Sequence, residues 1–446
     1  MMTNKQSRLS WLSNIRLHYT NRLTKLWYGL VDQVFSVGAV FLANILLARS
    51  SSEIEYGAFT LGYSIYVLGG SIHNALVLEP YTVFASGRYR NQFADYLQLI
   101  LRVSLTVGVL LALLSFLITC GVMLFSPNLF RPVMYGVVVG ILLLMTGQLY
   151  RRVYYVVLDS AAAARISVLY FFVICFGLVG LLTTGNLSAL TVFLILSVGW
   201  VVVSPIFFWR YRILPGAMRF LSDHSGYWQD HWRYSRWVLA TALIFQFTNQ
   251  GYYWIIGLLL TVEDVARLRA IQNVVLPINV FFVAVSLLIL PRMSMTFQKQ
   301  STKGLNPLVW KMIFLVLSTA GAYFAITLLF CEEIIDLIYS GKYNSYAHLL
   351  YIMGLTPMAL GVGDIFNNAL KAMEEPKWVF YAYVAGGGIT FTFGVFMVIN
   401  YGLAGAAWGT VVSMVAYMLL LSYGFFRVSR RVALSNLKPI ILKGER

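Results

Sequence analysis

The chain has 446 residues, of which 59% are hydrophobic, 15% aromatic and only 11% charged, and its mean hydropathy is +0.74. So small a polar fraction excludes a soluble globular protein of this length. The formal net charge of +16 does not call for nucleic acid as a partner, because the basic residues are concentrated between long apolar runs, as in membrane proteins.

Twelve apolar runs are long enough to cross a bilayer, and lipid favours helices for them because no open strand edge can be satisfied there. The runs are 28–48, 58–78, 99–125, 133–157, 165–183, 188–209, 238–260, 265–290, 309–331, 346–370, 378–399 and 403–426. If the N-terminus is cytoplasmic, 28 of the 33 Lys and Arg residues lie on the cytoplasmic side. This positive-inside distribution supports the count of twelve and predicts that both termini are cytoplasmic.

Three segments lie outside the apolar runs. Residues 1–27 place apolar side chains at helical spacing against arginines, which indicates an amphipathic helix on the cytoplasmic face. Residues 210–237 are basic and rich in Trp and Tyr, as expected of an interfacial linker, and 427–446 form a basic cytoplasmic tail. The three cysteines are scattered in apolar segments, and their spacing predicts neither a disulfide framework nor a metal site.

The chain carries an internal repeat with a shift of about 211 residues. Glu53 precedes Pro80 by 27 residues, and Asp264 precedes Pro291 by the same interval. Because each half contains six predicted helices, both halves enter the membrane from the same side and form parallel repeats. We therefore expect an all-α polytopic membrane protein with about twelve transmembrane helices in two parallel six-helix lobes around a central polar cavity. The predicted N-lobe spans 28–209 and the predicted C-lobe 238–426.

Polar residues gather on one face of several predicted helices when they are projected at 100° per residue. Such a stripe, running through most of the membrane thickness, indicates a wet surface, although an isolated Asn usually makes only an interhelical hydrogen bond. Arg151 and Arg152 also have a simpler explanation, because both could snorkel to the cytoplasmic surface. The candidate cavity residues on these faces are Arg269, Arg151, Arg152, Asn74, Gln148, Gln272, Asn279, Asn368 and Lys371.

Two carboxylates lie inside predicted membrane helices, where they are costly unless they are paired or hydrated. Asp32 lies near the cytoplasmic end of the first helix, and Asp364 lies in the tenth. For Asp32, two interpretations stay open at this point. It is either a satisfied cap or ion pair, or a residue that takes part in ion coupling.

Several stretches resemble one family of transporters. The chain resembles the polysaccharide flippases, which carry lipid-linked repeat units of O-antigen, capsule or exopolysaccharide, within the multidrug/oligosaccharidyl-lipid/polysaccharide exporter superfamily. One stretch differs: where many members have a small residue and an aromatic residue, this chain has ARLRA at 266–270. The subfamily and the cargo are therefore left open. The resembling stretches are 32–61, 269–293, 334–350, 367–377 and 400–413.

The resemblance implies alternating access by two lobes in a bacterial plasma (inner) membrane, with a lipid diphosphate and its sugars crossing a cationic cavity. Arg269 together with Arg151 or Arg152 would bind the diphosphate, and polar residues such as Asn249 in 246–254 would bind sugar hydroxyls. Asp32 and Asp364 become candidates for coupling to a proton or sodium counter-ion, or for gating. The implied partners are the lipid-linked oligosaccharide, membrane lipids and other polysaccharide assembly proteins, with no cofactor and no catalytic residue.

Two other classes compete with this interpretation. A multidrug/cation antiporter of the same superfamily would share the fold, but its cavity should be more acidic and aromatic, and the excess of arginine argues against it. A membrane polymerase or ligase acting on lipid-linked glycans would need sizeable extramembrane loops with clustered acids or bases. The longest predicted outward loop, 331–348, is short.

Overall fold

The computed structural model describes residues 3–86, 89, 93–125, 131–157, 159–211 and 225–441, and within these residues every regular element is a helix. Much of the predicted linker and the last residues of the predicted tail lie outside the described part of the chain. The α-helices are α1 Thr3–Ser50, α2 Glu53–His73, α3 Glu79–Ser86, α4 Phe93–Phe125, α5 Arg131–Val156, α6 Ser160–Thr183, α7 Ala189–Tyr211, α8 Ser225–Leu259, α9 Val262–Leu329, α10 Cys331–Tyr339, α11 Leu350–Met353, α12 Thr356–Ala372, α13 Lys377–Ile389 and α14 Val395–Ile441.

The predicted all-α membrane fold is confirmed. Within the described residues, nine helical segments are long and apolar enough to cross a membrane. Two of the nine, Val262–Leu329 and Lys377–Leu434, are far longer than one crossing needs. Each contains a non-helical residue, Ser301 in the first and Gly402 in the second, that divides it into two helices. Each of the twelve predicted runs lies mostly in helix, the seventh of them in α8. The ninth, 309–331, extends past the end of α9 into α10, and the tenth, 346–370, is interrupted by a turn at 354–355 between α11 and α12.

The two kinks occur where the sequence interrupts its apolar pattern. Ser301, with φ 54° and ψ −146°, lies in a polar stretch between the eighth and ninth predicted runs. Gly402, with φ 54° and ψ −131°, lies between the last two runs. A glycine tolerates positive φ because it has no Cβ, whereas a serine in this region is strained. Local polarity therefore ends each helix without a long loop.

The chain forms two compact units. Unit 1 comprises Met1–Leu47 and Gly69–Leu239. Its centre is the packing of α5 against α4 and α7. Tyr170 of α6 stacks on Trp200 of α7 with ring centroids 4.4 Å apart. Gly147 of α5 faces this tryptophan so closely that a Cβ would lie 2.0 Å from the ring. The close approach explains why a residue without a side chain stands there.

Unit 2 comprises Ala48–Leu68 and Ala240–Arg446. In this unit α12 packs against α9 and α14, and α13 packs against α14. Residues 48–68 belong by sequence to the predicted N-lobe, yet they pack within unit 2. The chain therefore passes from unit 1 to unit 2 inside α1, turns at residues 51–52, and returns to unit 1 inside α2.

Candidate functional site

The first charged cluster lies in unit 1 around Asp32, whose side chain is 0% exposed. Arg151 of α5 donates from Nε to Asp32 Oδ1 at 3.0 Å and from Nη2 to Oδ2 at 2.5 Å. Tyr155, one helical turn further along α5, donates its hydroxyl to Oδ2 at 2.6 Å, and Ser167 of α6 donates to Oδ1. Asp32 thus has an ion-pair partner and four hydrogen bonds. Of the two explanations that the sequence left open, this geometry fits the ion pair.

The neighbouring Arg152 is in a different situation. It points away from Asp32, because successive residues of a helix are 100° apart. Its Nη2 donates to the side-chain oxygen of Asn74 at 3.1 Å, and Asn74 begins a π-helical turn, Asn74–Leu78, that continues α2. Among the described residues no carboxylate forms an ion pair with Arg152. The positive charge of Arg151 is thus balanced by its ion pair with Asp32, whereas the described residues give Arg152 no ion pair.

The second charged cluster lies in unit 2 around Arg269 of α9. Its Nη1 donates to the hydroxyl of Tyr253 at 2.9 Å, and its guanidinium lies 5.7 Å from the ring centroid of Tyr253 and 5.9 Å from that of Tyr63. The Nε of Arg269 is buried and has no hydrogen-bond partner among the described residues. No carboxylate in the described chain forms an ion pair with it. A buried guanidinium with a free donor is costly, and an anion would relieve that cost.

Other polar groups hold this cluster in place. Tyr253 donates its own hydroxyl to the side-chain oxygen of Gln272, so a chain of hydrogen bonds runs from Arg269 to Gln272. One turn away, the buried amide of Asn273 donates to the hydroxyl of Tyr56 at 2.8 Å and to that of Tyr339 at 3.3 Å. These bonds fix the orientation of the phenols around the guanidinium.

Asp364 lies in α12 of unit 2 beside a pair of tyrosines. Tyr417 forms a side-chain hydrogen bond with Asp364, and it also receives one from the amide of Asn367 at 3.4 Å. The rings of Tyr417 and Tyr383 are stacked, with centroids 4.9 Å apart. Lys371, in the last turn of α12, is exposed. Asp364 therefore has polar neighbours, but none of the described basic residues forms an ion pair with it.

The remaining predicted cavity residues have less distinctive surroundings. Gln148 and Asn279 are partly buried, and the side-chain oxygen of Asn279 has no partner among the described residues. Asn368 is buried, and its amide nitrogen is likewise unpartnered in the described structure. Asn249 is exposed and donates to the backbone oxygen of Phe245 in its own helix at 2.8 Å. That bond is an ordinary helix contact, so it does not by itself indicate a ligand.

Three neighbours of the two charged clusters escaped the sequence-based prediction: Ser167, Tyr56 and Asn273. Ser167 lies in an apolar helix with no polar stripe, so nothing in the sequence linked it to Asp32. Tyr56 carried a usable signal, because it lies seven residues before Tyr63 and so on the same face of α2. Asn273 follows Gln272 but points elsewhere, and its partners are 217 and 66 residues away.

Comparisons with known proteins agree with this architecture. No family model matches the chain. It is 24% identical over 177 residues to the "Probable low-salt glycan biosynthesis flippase Agl15" of Haloferax volcanii. The match covers 38% of this chain and 37% of that protein's length. The sequence similarity to this glycan flippase therefore covers little more than a third of each chain.

Solved structures extend the similarity over nearly the whole chain. An inward-facing multidrug resistance MATE family transporter of the MOP superfamily matches with a TM-score of 0.71 and 13% identity, covering 92% of this chain and 95% of its own. The lipid II flippase MurJ, in an inward closed conformation, matches with a TM-score of 0.66 and 15% identity over 92% and 91% of the two chains. The protein is thus a multi-pass membrane protein with the fold of the MOP-superfamily transporters.

Proposed function

We propose that the protein flips lipid-linked (polyprenyl-diphosphate) oligosaccharide repeat units from the cytoplasmic to the outer leaflet of a bacterial plasma membrane by alternating access, for surface polysaccharide biosynthesis. The observation that carries the proposal is Arg269, a guanidinium set between Tyr63 and Tyr253 with a buried free donor and no acidic partner in the described chain. A site of this kind favours an anion over a cationic drug.

A diphosphate matches the chemistry of Arg269. The planar guanidinium can give two parallel hydrogen bonds to phosphate oxygens, which a lysine cannot do. Arg152 is the second candidate, because its charge is not balanced by an ion pair among the described residues. Arg151 is less suited, since Asp32 binds its Nε and Nη2 and already neutralises its charge. Of the three arginines predicted to bind the diphosphate, two therefore remain available to a phosphate.

Sugar hydroxyls would be bound by neutral polar groups. Gln272 and Tyr253 lie next to Arg269, and Asn279 follows Gln272 by two helical turns, with a side-chain oxygen that has no partner among the described residues. Such groups bind hydroxyls without the desolvation cost of a second charge. Asn74, Gln148, Asn249, Asn368 and Lys371 complete the proposed set of cavity residues.

The comparisons support the same class of cargo. The similar protein from Haloferax volcanii is described as a probable glycan biosynthesis flippase, and the MurJ structure is that of a lipid II flippase. Both descriptions name a lipid or glycan flippase. A lipid-linked glycan is therefore the cargo that we propose for this chain.

We also propose that Asp364 couples transport to a proton or sodium ion, or gates it. Asp364 is an intramembrane carboxylate without an ion pair among the described residues, and its hydrogen-bond partner is a phenol. Asp32 is a weaker candidate, because Arg151 holds both of its oxygens. Membrane lipids and other polysaccharide assembly proteins remain the expected partners.

A multidrug/cation antiporter is the second candidate function. It is favoured by the fold, since a multidrug resistance MATE transporter matches 92% of the chain. Asp364 would then be the group that binds the drug cation or the counter-ion. This function leaves the uncompensated charge of Arg269 without a role, which is why we place it second.

The proposal is tested in a strain from which the gene is deleted, by measuring the surface polysaccharide and the lipid-linked repeat unit. Loss of surface polysaccharide, with the lipid-linked repeat unit accumulating on the cytoplasmic leaflet, is the expected result. Wild type and Lys303→Ala should restore transport, and Arg269→Ala should not. Lys303 is the matched control because it is an exposed basic residue on the same helix. Normal polysaccharide with altered drug tolerance would favour the antiporter, and repeat units that cross but stay unpolymerised would indicate an enzyme.

A further inference from the structure

In unit 2, the second part of α14 runs back along α13. The chain leaves α13 through a π-helical turn, and α14 is divided in two at Gly402. The ring of Trp378, at the start of α13, lies 5.7 Å from that of Tyr423, near the end of α14. Further along α13, the hydroxyl of Thr390 lies 3.0 Å from that of Ser413. The two helices are therefore antiparallel, and the end of α14 lies beside the start of α13.

At this end the two helices approach closely and hold an arginine between aromatic and solvent surroundings. A Cβ at Gly424 would lie 2.7 Å from the indole of Trp378, which is buried. The Cζ of Arg427, an exposed residue, lies over the same indole, 5.7 Å from the ring centroid. Among the described residues Arg427 has this aromatic contact and no ion pair. A guanidinium that rests on an aromatic face keeps its N–H donors in its own plane, where they can bind an anion.

Basic side chains from both helices gather at the same end. The carboxylate of Glu375 forms ion pairs with Lys377, at 2.9 Å, and with Arg431, at 3.3 Å. One acid thus serves two cations. Arg430 is exposed and forms no ion pair with any described residue. Residues 374–378 and 427–431 together contain four basic and two acidic side chains, so this end carries a net positive charge.

The exposed side chains change character in the same order along both helices. On each helix an exposed basic residue is followed, one turn deeper, by an exposed tyrosine and, about two turns deeper, by an exposed aliphatic residue. These residues are Lys377, Tyr381 and Val384 on α13, and Arg427, Tyr423 and Leu419 on α14. At a rise of about 1.5 Å per residue, the tyrosines lie roughly 6 Å and the aliphatic residues roughly 11 Å below the charges. We call these six residues, with Arg430 and Arg431, the α13–α14 surface.

The order of charge, aromatic ring and aliphatic side chain is that of a membrane interface. Tyrosines are enriched at the level of the lipid headgroups, and aliphatic side chains lie against the acyl chains. A free phosphate ion would use the basic residues alone, and it would leave the exposed rings and aliphatic groups without a partner. A phospholipid matches the whole surface, since its phosphate and its acyl chains are arranged in the same order.

We propose that the α13–α14 surface binds one anionic phospholipid of the leaflet on the predicted cytoplasmic side. Its phosphate binds Arg427 and Arg430, and its acyl chains lie along the exposed side chains beneath them. Lys377 and Arg431 contribute less, because Glu375 already offsets their charge. Basic sites between membrane helices bind anionic headgroups in this way, and a planar guanidinium can give a phosphate two parallel hydrogen bonds. The site does not depend on which cargo the protein carries.

Native mass spectrometry of the purified protein in detergent counts bound lipids and tests the proposal. The protein is titrated with phosphatidylglycerol, which is anionic, and with phosphatidylcholine of the same acyl chains, which has no net charge. The parent should bind the first phosphatidylglycerol more tightly than the first phosphatidylcholine. Arg427→Gln and Arg430→Gln should each weaken the binding of phosphatidylglycerol by about fivefold, the scale of one basic residue at an anionic membrane surface. Binding of phosphatidylcholine should not change.

Matched variants separate this surface from the general effect of a positive charge. Arg165→Gln removes an exposed arginine of unit 1 that donates to the backbone oxygen of Ala161 in its own helix, and it should leave both affinities unchanged. Arg427→Lys keeps the charge but loses the planar pair of donors, so its effect should be smaller than that of Arg427→Gln. Leu419→Gln should weaken both lipids equally, because it acts on the acyl chains. Unfolding temperatures without added lipid verify that each variant is folded.

Three results would overturn the proposal. The first is binding of phosphatidylglycerol that is the same in Arg427→Gln, Arg430→Gln and the parent, or that falls as much in Arg165→Gln. The second is displacement of the lipid by glycerol phosphate, which would indicate a site for free phosphate. The third is a polyprenyl diphosphate that binds in preference to phosphatidylglycerol with the same dependence on Arg427, which would make the surface a cargo site.

Discussion

Arg151 and Asp32, 119 residues apart in the chain, meet as a two-pronged ion pair, with Nε–Oδ1 at 3.0 Å and Nη2–Oδ2 at 2.5 Å. Asp32 is 0% exposed and Arg151 17% exposed, so water contributes little to either charge. In such surroundings the removal of either partner leaves an uncompensated buried charge, which costs more free energy than it would at a surface. The pair joins α1 to α5 within unit 1.

We expect Asp32→Asn to destabilise the protein by about 3 kcal/mol, because it leaves Arg151 buried without a counter-charge. The double variant Asp32→Asn/Arg151→Gln should be less destabilised than the single variant. Thermal unfolding in detergent measures both, with Glu333→Gln as an exposed acidic control. An Asp32→Asn protein that unfolds like the wild type but no longer transports would contradict the structural role and favour ion coupling.

The hydroxyl of Tyr253 connects Arg269 to Gln272, and Tyr253→Phe removes it. A hydrogen bond to a charged group contributes about 1.5 kcal/mol, and its loss leaves Arg269 less firmly oriented, so the apparent affinity for the proposed lipid-linked substrate should fall by up to roughly tenfold. The neighbouring Tyr252→Phe is the control, because that hydroxyl binds Ser413 instead, at 3.2 Å. Transport into vesicles as a function of substrate concentration separates the two variants. Equal losses in both would mean that Tyr253 acts only through stability.

His231 makes the stability of the folded protein depend on pH. It lies in the part of α8 that precedes the predicted membrane span, and it is 1% exposed. Its Nε2 lies 2.5 Å from the backbone oxygen of Leu76, which can only accept, so Nε2 carries the proton and Nδ1 accepts from Tyr96 at 3.1 Å. Burial lowers the pKa of His231, and the hydrogen bond to Leu76 opposes that shift without cancelling it. The folded protein therefore prefers the neutral ring.

The sign of the effect follows from that preference. Above the ordinary histidine pKa of about 6.5, the neutral ring of His231 contributes its full stabilisation to the folded state. This contribution to the free energy of unfolding is lost as the pH falls below that value, by up to about 1.4 kcal/mol per pH unit. We expect the unfolding temperature to decline between about pH 7 and about pH 5, and His231→Gln to reduce the slope. An unchanged slope in the variant would show that other groups cause the decline.

The packing of Gly147 against Trp200 predicts a steric effect in unit 1. Gly147→Ala places a Cβ within 2.0 Å of the indole ring, which is stacked on Tyr170 and has little room to move. Overpacking of this kind costs about 1–3 kcal/mol. Gly180→Ala is the matched control, because a Cβ there meets nothing within 4 Å and alanine favours the helix. Equal unfolding temperatures for the two variants would contradict the predicted clash.

Parts of the charged sites were readable from the sequence. Arg269, Gln272 and Asn279 fall on one face of their helix, and the structure gives the first two a shared partner in Tyr253. Arg151 and Arg152 were equivalent candidates in sequence, yet one is neutralised by Asp32 and the other binds Asn74. Helical periodicity gives the direction of a side chain around its own helix, but it does not say which helix stands opposite.

Hydropathy and the placement of Lys and Arg are local properties, and they were enough to predict twelve helical runs and an all-α membrane fold, because lipid accepts so few backbone structures. The ion pair of Asp32, the aromatic neighbours of Arg269 and the packing of residues 48–68 within unit 2 all depend on residues distant in the chain. Only the tertiary structure decided these, since burial and pairing of a charge are set by the neighbours that packing supplies.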